Sequence, residues 1–212
     1  MRLIIVDSDS EPQCLATLRS TPKAKYEDLK DVCMKEVRQS LGVQQMGYCA
    51  YCEQKMSTLV FVEHYLSRHS HKSQELDFEN FLGCCSGKLY NDRMGGQHIE
   101  ICNVSKKRTQ LRIDPRIKQH VDNIYYEGDA TIRSGDKDHD ADLKNVLNLN
   151  TQELKDKRNA QYKSTWDIMI RNAKSLKLTK TDSYSKGLKI AQAGTMEFSG
   201  YVSYRYRNLI DS

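Results

Sequence analysis

The sequence has no apolar run that approaches the roughly 20 residues needed to cross a bilayer, and its mean hydropathy is -0.71. Its first residues lack the apolar core followed by small residues that a secretory signal requires. Internal repeats and long low-complexity segments are absent as well. These absences argue against a membrane protein and a repeat array, and we expect a cytoplasmic protein.

The composition is that of a polar globular chain. Its 212 residues suit a single domain, and 38% hydrophobic against 29% charged residues predict a modest core that a bound metal would usefully stabilise. The 33 Lys and Arg outnumber the 28 Asp and Glu, which gives a net charge of +5. This balance fits a nucleic-acid partner, although many proteins with other partners are mildly basic.

Seven cysteines in a cytoplasmic chain favour metal ligation over a disulfide framework, because that compartment keeps thiols reduced. Cys49 and Cys52 form the one CxxC pair, whose spacing suits zinc. There is no second CxxC, so the other half must come from Cys84, Cys85 and Cys102. We predict a structural Zn²⁺ held by the following four thiolates: Cys49, Cys52, Cys85 and Cys102.

Several alternatives to this ligand set stay open. Cys84 is expected to point into the core, but it is a candidate to replace an assigned ligand. His98 in place of one cysteine is the main variant. Cys14 and Cys33 have no partner at metal spacing and are expected to be buried apolar residues. The 17-residue gap from Cys85 to Cys102 requires the intervening loop to fold back, which Gly95 and Gly96 would permit.

An acid and a histidine stand between the two cysteine half-sites. Hydrolysis of a phosphodiester needs a base that deprotonates water and a cation that neutralises the phosphate. His64 can supply the base, and Glu63 can hold a divalent ion. Asn103, directly after the last zinc cysteine, could complete the ion site through its amide oxygen. Asn80 is placed to hold the loop that carries His64 by hydrogen bonds to its backbone.

The rest of the chain divides around this segment. We expect an N-terminal arm and helix over 1–44, the metal core over 45–112, and a hairpin with a helical region over 113–212. Helices are predicted at 25–41 and 152–176, the second with Thr151 as its N-cap. A strand is predicted at 58–62, a short strand or turn at 77–82, a loop at 88–97, and a hairpin over 121–132. The segment 201–207 reads as a basic strand or a last helix.

The order Cys-x-x-Cys, Glu-His, Asn, Cys, Cys-Asn resembles an HNH endonuclease with the ββα-metal fold. Four motifs are similar to the HNH subunit of the Septu anti-phage system, including its retron-associated members. They are C-A-Y-C-E at 49–53, V-E-H at 62–64, N-F-L-G-C-C-S-G at 80–87 and I-C-N-V-S-K-K at 101–107. Flanking similarities at 35–49, 113–115 and 147–158 extend the resemblance over most of the chain.

The resemblance implies an α+β fold in which a ββα-metal (HNH/zinc) core is embedded in a mostly helical single domain. It implies an endonuclease with His64 as general base, Glu63 and Asn103 holding Mg²⁺ or Mn²⁺, and a structural zinc. It also implies a partner ATPase that gates the nuclease, and in retron-associated members a reverse transcriptase with its msDNA. The sequence departs from the family at Asn103, where aspartate is frequent, and in having no proline at 65–70.

Basic residues flank the acid-histidine pair on both sides, as contacts to a phosphate backbone would. They are Arg68 and Lys72 after the histidine, and Lys106, Lys107 and Arg108 after the last cysteine. For any one of them an ordinary solvated charge is the better explanation. Two hypotheses therefore stand: a metal-dependent nuclease acting on DNA or RNA, and a zinc-stabilised binding module that does not cleave.

Overall fold

The computed structural model describes residues 1–56, 59–91 and 95–211. It combines helices with short antiparallel hairpins, so the chain is of the α+β class, as the sequence predicts. The helices are α1 (Gln13–Ser20), α2 (Asp31–Gln44), α3 (Cys102–Lys106), α4 (Lys118–Asp122), α5 (Lys137–Ala141), α6 (Gln152–Leu176), α7 (Lys180–Gln192) and α8 (Ser199–Ile210). The strands are β1 (Phe61–His64), β2 (Phe81–Cys84), β3 (Lys88–Asn91), β4 (Gln97–Glu100), β5 (Ile124–Tyr126) and β6 (Ile132–Ser134).

The strands pair as neighbours in sequence: β1 with β2, β3 with β4, and β5 with β6, each antiparallel. In the first pair Glu63 lies opposite Leu82 and His64 lies opposite Phe81. Successive side chains of a strand point to opposite faces, so β1 sends Glu63 and His64 in different directions. Helix α3 contacts the Glu63 side, because Lys106 pairs with that carboxylate, and Phe81 contacts the His64 side.

A buried glutamine fixes the end of α2 to β2. The side-chain amide of Gln45 donates to the carbonyl of Gly83 at 2.8 Å, and its oxygen accepts from the Gly83 N–H at 2.7 Å. The pair of hydrogen bonds imitates one rung of a β-ladder, and the Gly83 carbonyl also accepts from the Ala50 N–H at 3.0 Å. The chain therefore leaves α2 directly beside β2 and enters the segment that carries Cys49 and Cys52.

The buried apolar residues form separate clusters. The largest surrounds the cysteines and extends to β5, β6 and the start of α8. A second joins α1 and α2 to β2 and contains Leu15, Leu29, Val37, Leu41, Leu76, Phe78 and Phe81. A third lies among α6, α7 and α8 and contains Met169, Ala191, Val202 and Tyr206. Within the described residues no helix has the length and apolar character that a membrane crossing requires.

Several predicted elements are confirmed, and others are wrong. Helix α6 has the predicted bounds, and the Thr151 hydroxyl accepts from the Leu154 N–H at 3.3 Å as its N-cap. The segment 201–207 lies in α8, so its helical alternative is confirmed. The predicted loop over 88–97 is wrong, because this segment contains β3 and enters β4. The predicted helix over 25–41 is a short 3₁₀ turn followed by α2. The predicted start of a strand at Thr58 lies outside the described residues.

Cys14 and Cys33 correct a further expectation, since they form a disulfide rather than two independent buried thiols. Cys14 belongs to α1 and Cys33 to α2, and their Cα atoms are 5.7 Å apart. The two helices face each other across the second apolar cluster. The amphipathic packing of α1 on α2, which the spacing of the cysteines in the sequence does not reveal, brings the thiols together. The disulfide cross-links α1 to α2, and the apolar cluster beneath these helices includes Phe81 of β2.

A thiol titration tests this cross-link. The chain unfolded in denaturant with EDTA and without reductant should expose five reactive thiols, because the remaining cysteines are free, and seven after reduction. A count of seven before reduction would contradict the disulfide. Closing a 19-residue separation contributes about 3 kcal/mol through the entropy of the unfolded chain. The Cys14→Ser/Cys33→Ser variant should therefore melt at a lower temperature than the oxidised protein.

Candidate metal centre and adjoining pocket

Four cysteine sulfurs converge in the centre of the largest core cluster. Cys49 and Cys52 come from the turn between α2 and β1, Cys85 follows β2, and Cys102 begins α3. Their Sγ atoms all lie within 4.8 Å of one another, and these four cysteines are the ligand set that the sequence predicts. Cys49, Cys52 and Cys102 are buried and Cys85 is half-buried. The four residues therefore form a buried cluster that could hold a metal ion such as zinc.

The spacing of the sulfurs matches what a tetrahedral ion requires. Zinc–thiolate bonds of about 2.3 Å in a tetrahedron place the sulfurs about 3.8 Å apart. The Sγ atoms of Cys49 and Cys102 are 3.8 Å apart, and so are those of Cys52 and Cys85. Because no disulfide joins these thiols, this close approach of polarisable, ionisable groups fits a shared cation. The donor set and its geometry both suit Zn²⁺.

The two alternative ligands, Cys84 and His98, are outside the four-sulfur cluster. Cys84 is fully buried on β2 and is outside the group of four converging sulfurs. His98 is exposed on β4, where its ring lies 6.0 Å from that of Tyr90, its cross-strand partner. The hairpin of β3 and β4 accounts for the long interval between Cys85 and Cys102. It returns the chain to the cluster, as the Ile101 N–H donates to the carbonyl of Gly87 at 2.8 Å.

The thiols of the cluster differ in pKa. Burial raises the pKa of Cys52 and of Cys102 well above the usual range. Burial also acts to raise the pKa of Cys49, but hydrogen bonds from neighbouring thiols, that of Cys102 first, outweigh it and the pKa falls well below the usual range. A buried cluster in which one thiolate is stabilised by several thiols is prepared for a cation, because ligation displaces the remaining protons.

His64 lies at the end of β1 with its ring packed edge-on between two aromatic rings. The ring centroids of Tyr26 and Phe81 are 4.6 Å and 4.8 Å away. Its Nε2 lies 3.0 Å from the carbonyl oxygen of Glu75. A carbonyl can only accept, so Nε2 carries the proton and Nδ1 holds the free electron pair. Burial lowers the pKa of His64 below its usual value, which keeps the ring neutral.

Asn80 makes the backbone contacts that the sequence predicts for it. Its amide oxygen accepts from the Leu66 N–H at 2.7 Å, and its amide nitrogen donates to the carbonyls of Leu66 at 3.0 Å and Gln74 at 3.1 Å. Both ends of the loop after His64 are thereby tied to one buried side chain. The same loop carries Glu75, whose carbonyl receives the His64 Nε2 proton. Asn80 therefore holds in place the loop whose Glu75 carbonyl orients the imidazole.

Glu63 is engaged by a buried lysine. The Lys106 Nζ lies 2.6 Å from Glu63 Oε1, and it also donates to the carbonyl of His64 at 3.1 Å. The side chain of Lys106 is 1% exposed and that of Glu63 is 12% exposed. Burial raises the pKa of Glu63, and the Lys106 charge opposes that rise. Lys106 thus lies inside the protein, not on the surface where the sequence places it for contact with nucleic acid.

Glu63 and Asn103, the residues that the sequence assigns to a divalent ion, each have a buried oxygen. The amide oxygen of Asn103 is buried without a hydrogen-bond partner. It packs against Gly87, where a Cβ would come within 2.8 Å of it. Glu63 Oε1 is also buried without a hydrogen-bond partner, and it forms an ion pair with the Lys106 ammonium. The four-cysteine cluster suits zinc, whereas an ammonium of the chain itself lies where the predicted divalent ion would contact Glu63.

A pocket of about 490 Å³ opens beside His64 and Glu63. Four of its lining residues are exposed basic side chains that the sequence singles out: Arg68, Lys72, Lys107 and Arg108. Tyr26 also lines it, and the Arg68 guanidinium lies 4.6 Å from the centroid of that ring. All five predicted basic residues thus line one cavity, although Lys106 is buried against Glu63 and the other four are exposed. Its walls suit a phosphate-bearing ligand.

The sequence did not reveal the contact of Tyr26 with His64 or the burial of Lys106 beside Glu63. Tyr26 covers the His64 ring from the segment between α1 and α2, and no local pattern marks this long-range contact. For Lys106 a signal exists, because it lies four residues after Cys102 and residues four apart share a face of a helix. A side chain on the same face as a buried ligand is directed inward.

Comparison with protein-family models and with curated proteins finds no match to this chain.

Metal analysis tests the four-sulfur cluster. The purified protein should contain one zinc per chain, and Cys85→Ser should lose it and melt at a lower temperature, because a site with three thiolates holds the ion more weakly. Cys84→Ala is the control, since this neighbouring cysteine is more deeply buried than Cys85 but outside the cluster, and it should keep the metal. Equal zinc content in all three proteins would contradict the site.

A second pair of variants tests the part of Asn80. Asn80→Ala removes three hydrogen bonds and should lower the free energy of unfolding by roughly 2–3 kcal/mol, because buried backbone groups lose their partners. It should also move the NMR signals of the His64 ring. Asn150→Ala is the control, since Asn150 makes analogous bonds to the backbone of Ile132. It should destabilise the protein in urea without moving those signals.

Proposed function

We propose that this protein is an HNH-type endonuclease that hydrolyses phosphodiester bonds of a nucleic acid. The observation that carries the proposal is the position of His64. It stands at the end of β1 and lines a pocket that also has Arg68, Lys72, Lys107 and Arg108 on its walls. A neutral imidazole beside a cavity lined by cations is the arrangement that phosphodiester hydrolysis requires.

The order of elements around the cluster supports the ββα-metal core that the resemblance implies. β1 and β2 form an antiparallel pair, and α3 follows after the β3–β4 hairpin. Cys85 directly follows β2 and Cys102 begins α3, so the proposed zinc would hold the hairpin pair and the helix in one frame. An ion bound by Cys85 and Cys102 would thereby also fix His64, on the strand paired with β2, relative to α3.

In the proposed reaction His64 Nδ1 takes a proton from a water molecule, and the oxygen of that water attacks the phosphorus. The bond from phosphorus to the leaving oxygen breaks, and that oxygen takes a proton from solvent. The Glu75 carbonyl keeps the proton on Nε2, so the free electron pair is on the other nitrogen. Lys107 and Arg108 neutralise the phosphate groups on either side of the scissile bond.

The divalent ion of the resemblance, Mg²⁺ or Mn²⁺, supplies charge neutralisation at the phosphate when it is bound. Glu63 and Asn103 are the residues that the resemblance assigns to it, but Lys106 occupies Glu63 in this structure. The remaining parts of the resemblance enter the proposal as biological context: an effector of anti-phage defence that works with an ATPase, in the manner of the Septu HNH subunit.

One observation favours a second function, a zinc-stabilised binding module that does not cleave. The His64 side chain is largely covered by Tyr26 and Phe81, and the residue is 8% exposed. A covered ring with a lysine-neutralised acid beside it suits binding as well as it suits a resting nuclease. The basic pocket would then serve for affinity alone. Cleavage separates the two functions directly.

The cleavage test uses supercoiled plasmid and a labelled RNA with Mg²⁺, with Mn²⁺ and with EDTA, in the presence and absence of the partner ATPase. His64→Ala should lower the rate at least about 100-fold, because loss of a general base costs that much. His98→Ala is the matched control, since His98 is exposed on β4 away from the pocket, and it should keep wild-type activity.

The outcomes of this test separate the two functions. Equal rates for wild type and His64→Ala would overturn the assigned base. No cleavage under any condition, with binding of nucleic acid retained, would favour the module.

A further inference from the structure

The cation beside Glu63 is a residue of the chain itself. The Lys106 ammonium lies 2.6 Å from Glu63 Oε1 and is almost completely removed from solvent. It makes a second contact at 3.1 Å, to the carbonyl of His64. The ammonium thus bridges the two adjacent residues to which the sequence assigns the ion and the base. Buried charges that are paired and hydrogen-bonded in this way hold a defined geometry.

The fold directs Lys106 to this position. Cys102 begins α3 with its sulfur in the metal cluster. Lys106 follows four residues later and therefore lies on the same helix face. An ion that pins Cys102 also pins the direction of Lys106. Lys107, the next residue, leaves the helix and is exposed, with its side chain 74% accessible. Two adjacent lysines consequently have opposite surroundings.

Charge balance decides what else can bind at Glu63. One carboxylate and one ammonium form a neutral pair, so the site carries no net negative charge to attract a dication. A divalent ion on the same carboxylate would stand within a few ångströms of the ammonium, and repulsion at that distance is strong in a partly buried site. Asn103 does not change this balance, because an amide oxygen carries no net charge.

We propose that Lys106 and a divalent ion exclude each other at Glu63, and that in the free protein Lys106 holds this position. The inference concerns the ion site of the proposed nuclease and in that respect rests on the proposed function. It assigns Lys106 as the residue that must leave Glu63 before a metal ion can bind there. A lysine that merely stabilised the fold would have no effect on metal affinity.

The experiment measures Mn²⁺ binding to the full-length chain as purified, by the loss of the free-ion EPR signal, without nucleic acid or ATPase. Wild type and Glu63→Gln should bind Mn²⁺ alike, because Lys106 occupies the carboxylate. Lys106→Met should create a site whose affinity is at least about tenfold tighter than any in wild type, because the competing charge is gone. The double variant Lys106→Met/Glu63→Gln should lose that site.

Lys107→Met is the matched control, since it removes the same charge one residue away in an exposed position. It should leave Mn²⁺ affinity unchanged within about twofold, because exposed charges interact weakly through water. Retained zinc and a cooperative thermal melt show that each variant is folded. Should Lys106→Met fail to fold, the comparison of wild type with Glu63→Gln still decides the point.

A Mn²⁺ site in the wild-type protein that Glu63→Gln abolishes would overturn the inference. So would a folded Lys106→Met protein with unchanged Mn²⁺ binding. Neither result depends on cleavage. The proposed nuclease stands or falls on His64→Ala in the plasmid and RNA assay, whereas the position of Lys106 stands or falls on metal binding to the free protein, so the two failures are distinguishable.

Discussion

The convergence of four buried sulfurs is the constraint on which the rest of this structure depends. The sulfurs come from the turn before β1, the residue after β2 and the first residue of α3. Thiolates brought together without a cation would repel each other in a medium that screens poorly. An ion in their midst therefore both compensates the charge and fixes the three elements. A chain with only 38% hydrophobic residues has few other means of joining them.

A buried acid extends the influence of the cysteine turn to the C-terminal helices. Glu53 follows Cys52 directly, and its carboxylate accepts from the Gly200 N–H at 2.8 Å and from the Ser199 hydroxyl at 3.1 Å at the start of α8. The α-amino group of Met1 lies 2.6 Å from the same carboxylate. A carboxylate at a helix N-terminus is stabilised by the free N–H groups there. Because Glu53 is 2% exposed, the contact requires the cysteine turn to be formed, and so the packing of α8 on the core depends on that turn.

The sequence was informative where a side chain's task follows from chemistry at fixed spacing. The set of four cysteines, the hydrogen bonds of Asn80 and the bounds of α6 are of this kind, and the structure contains all of them. The disulfide of Cys14 and Cys33 could not be predicted, since it depends on how α1 packs on α2. Nor could Tyr26 be placed on His64. The burial of Lys106 was open to inference from its helix face, but its charge suggested the surface.

The environment of His64 combines two requirements that oppose each other. A general base must be neutral, and packing against Tyr26 and Phe81 favours the neutral ring by lowering its pKa. The same packing excludes the water that the base would deprotonate. Tyr26 belongs to the segment between the disulfide-linked helices and is held by its N–H to Glu75 at 3.2 Å and by Arg68 over its ring. Glu75 also orients the His64 ring through its carbonyl. One residue thus secures both the orientation of the ring and the aromatic residue that covers it, so exposure of His64 and loss of its alignment are physically coupled.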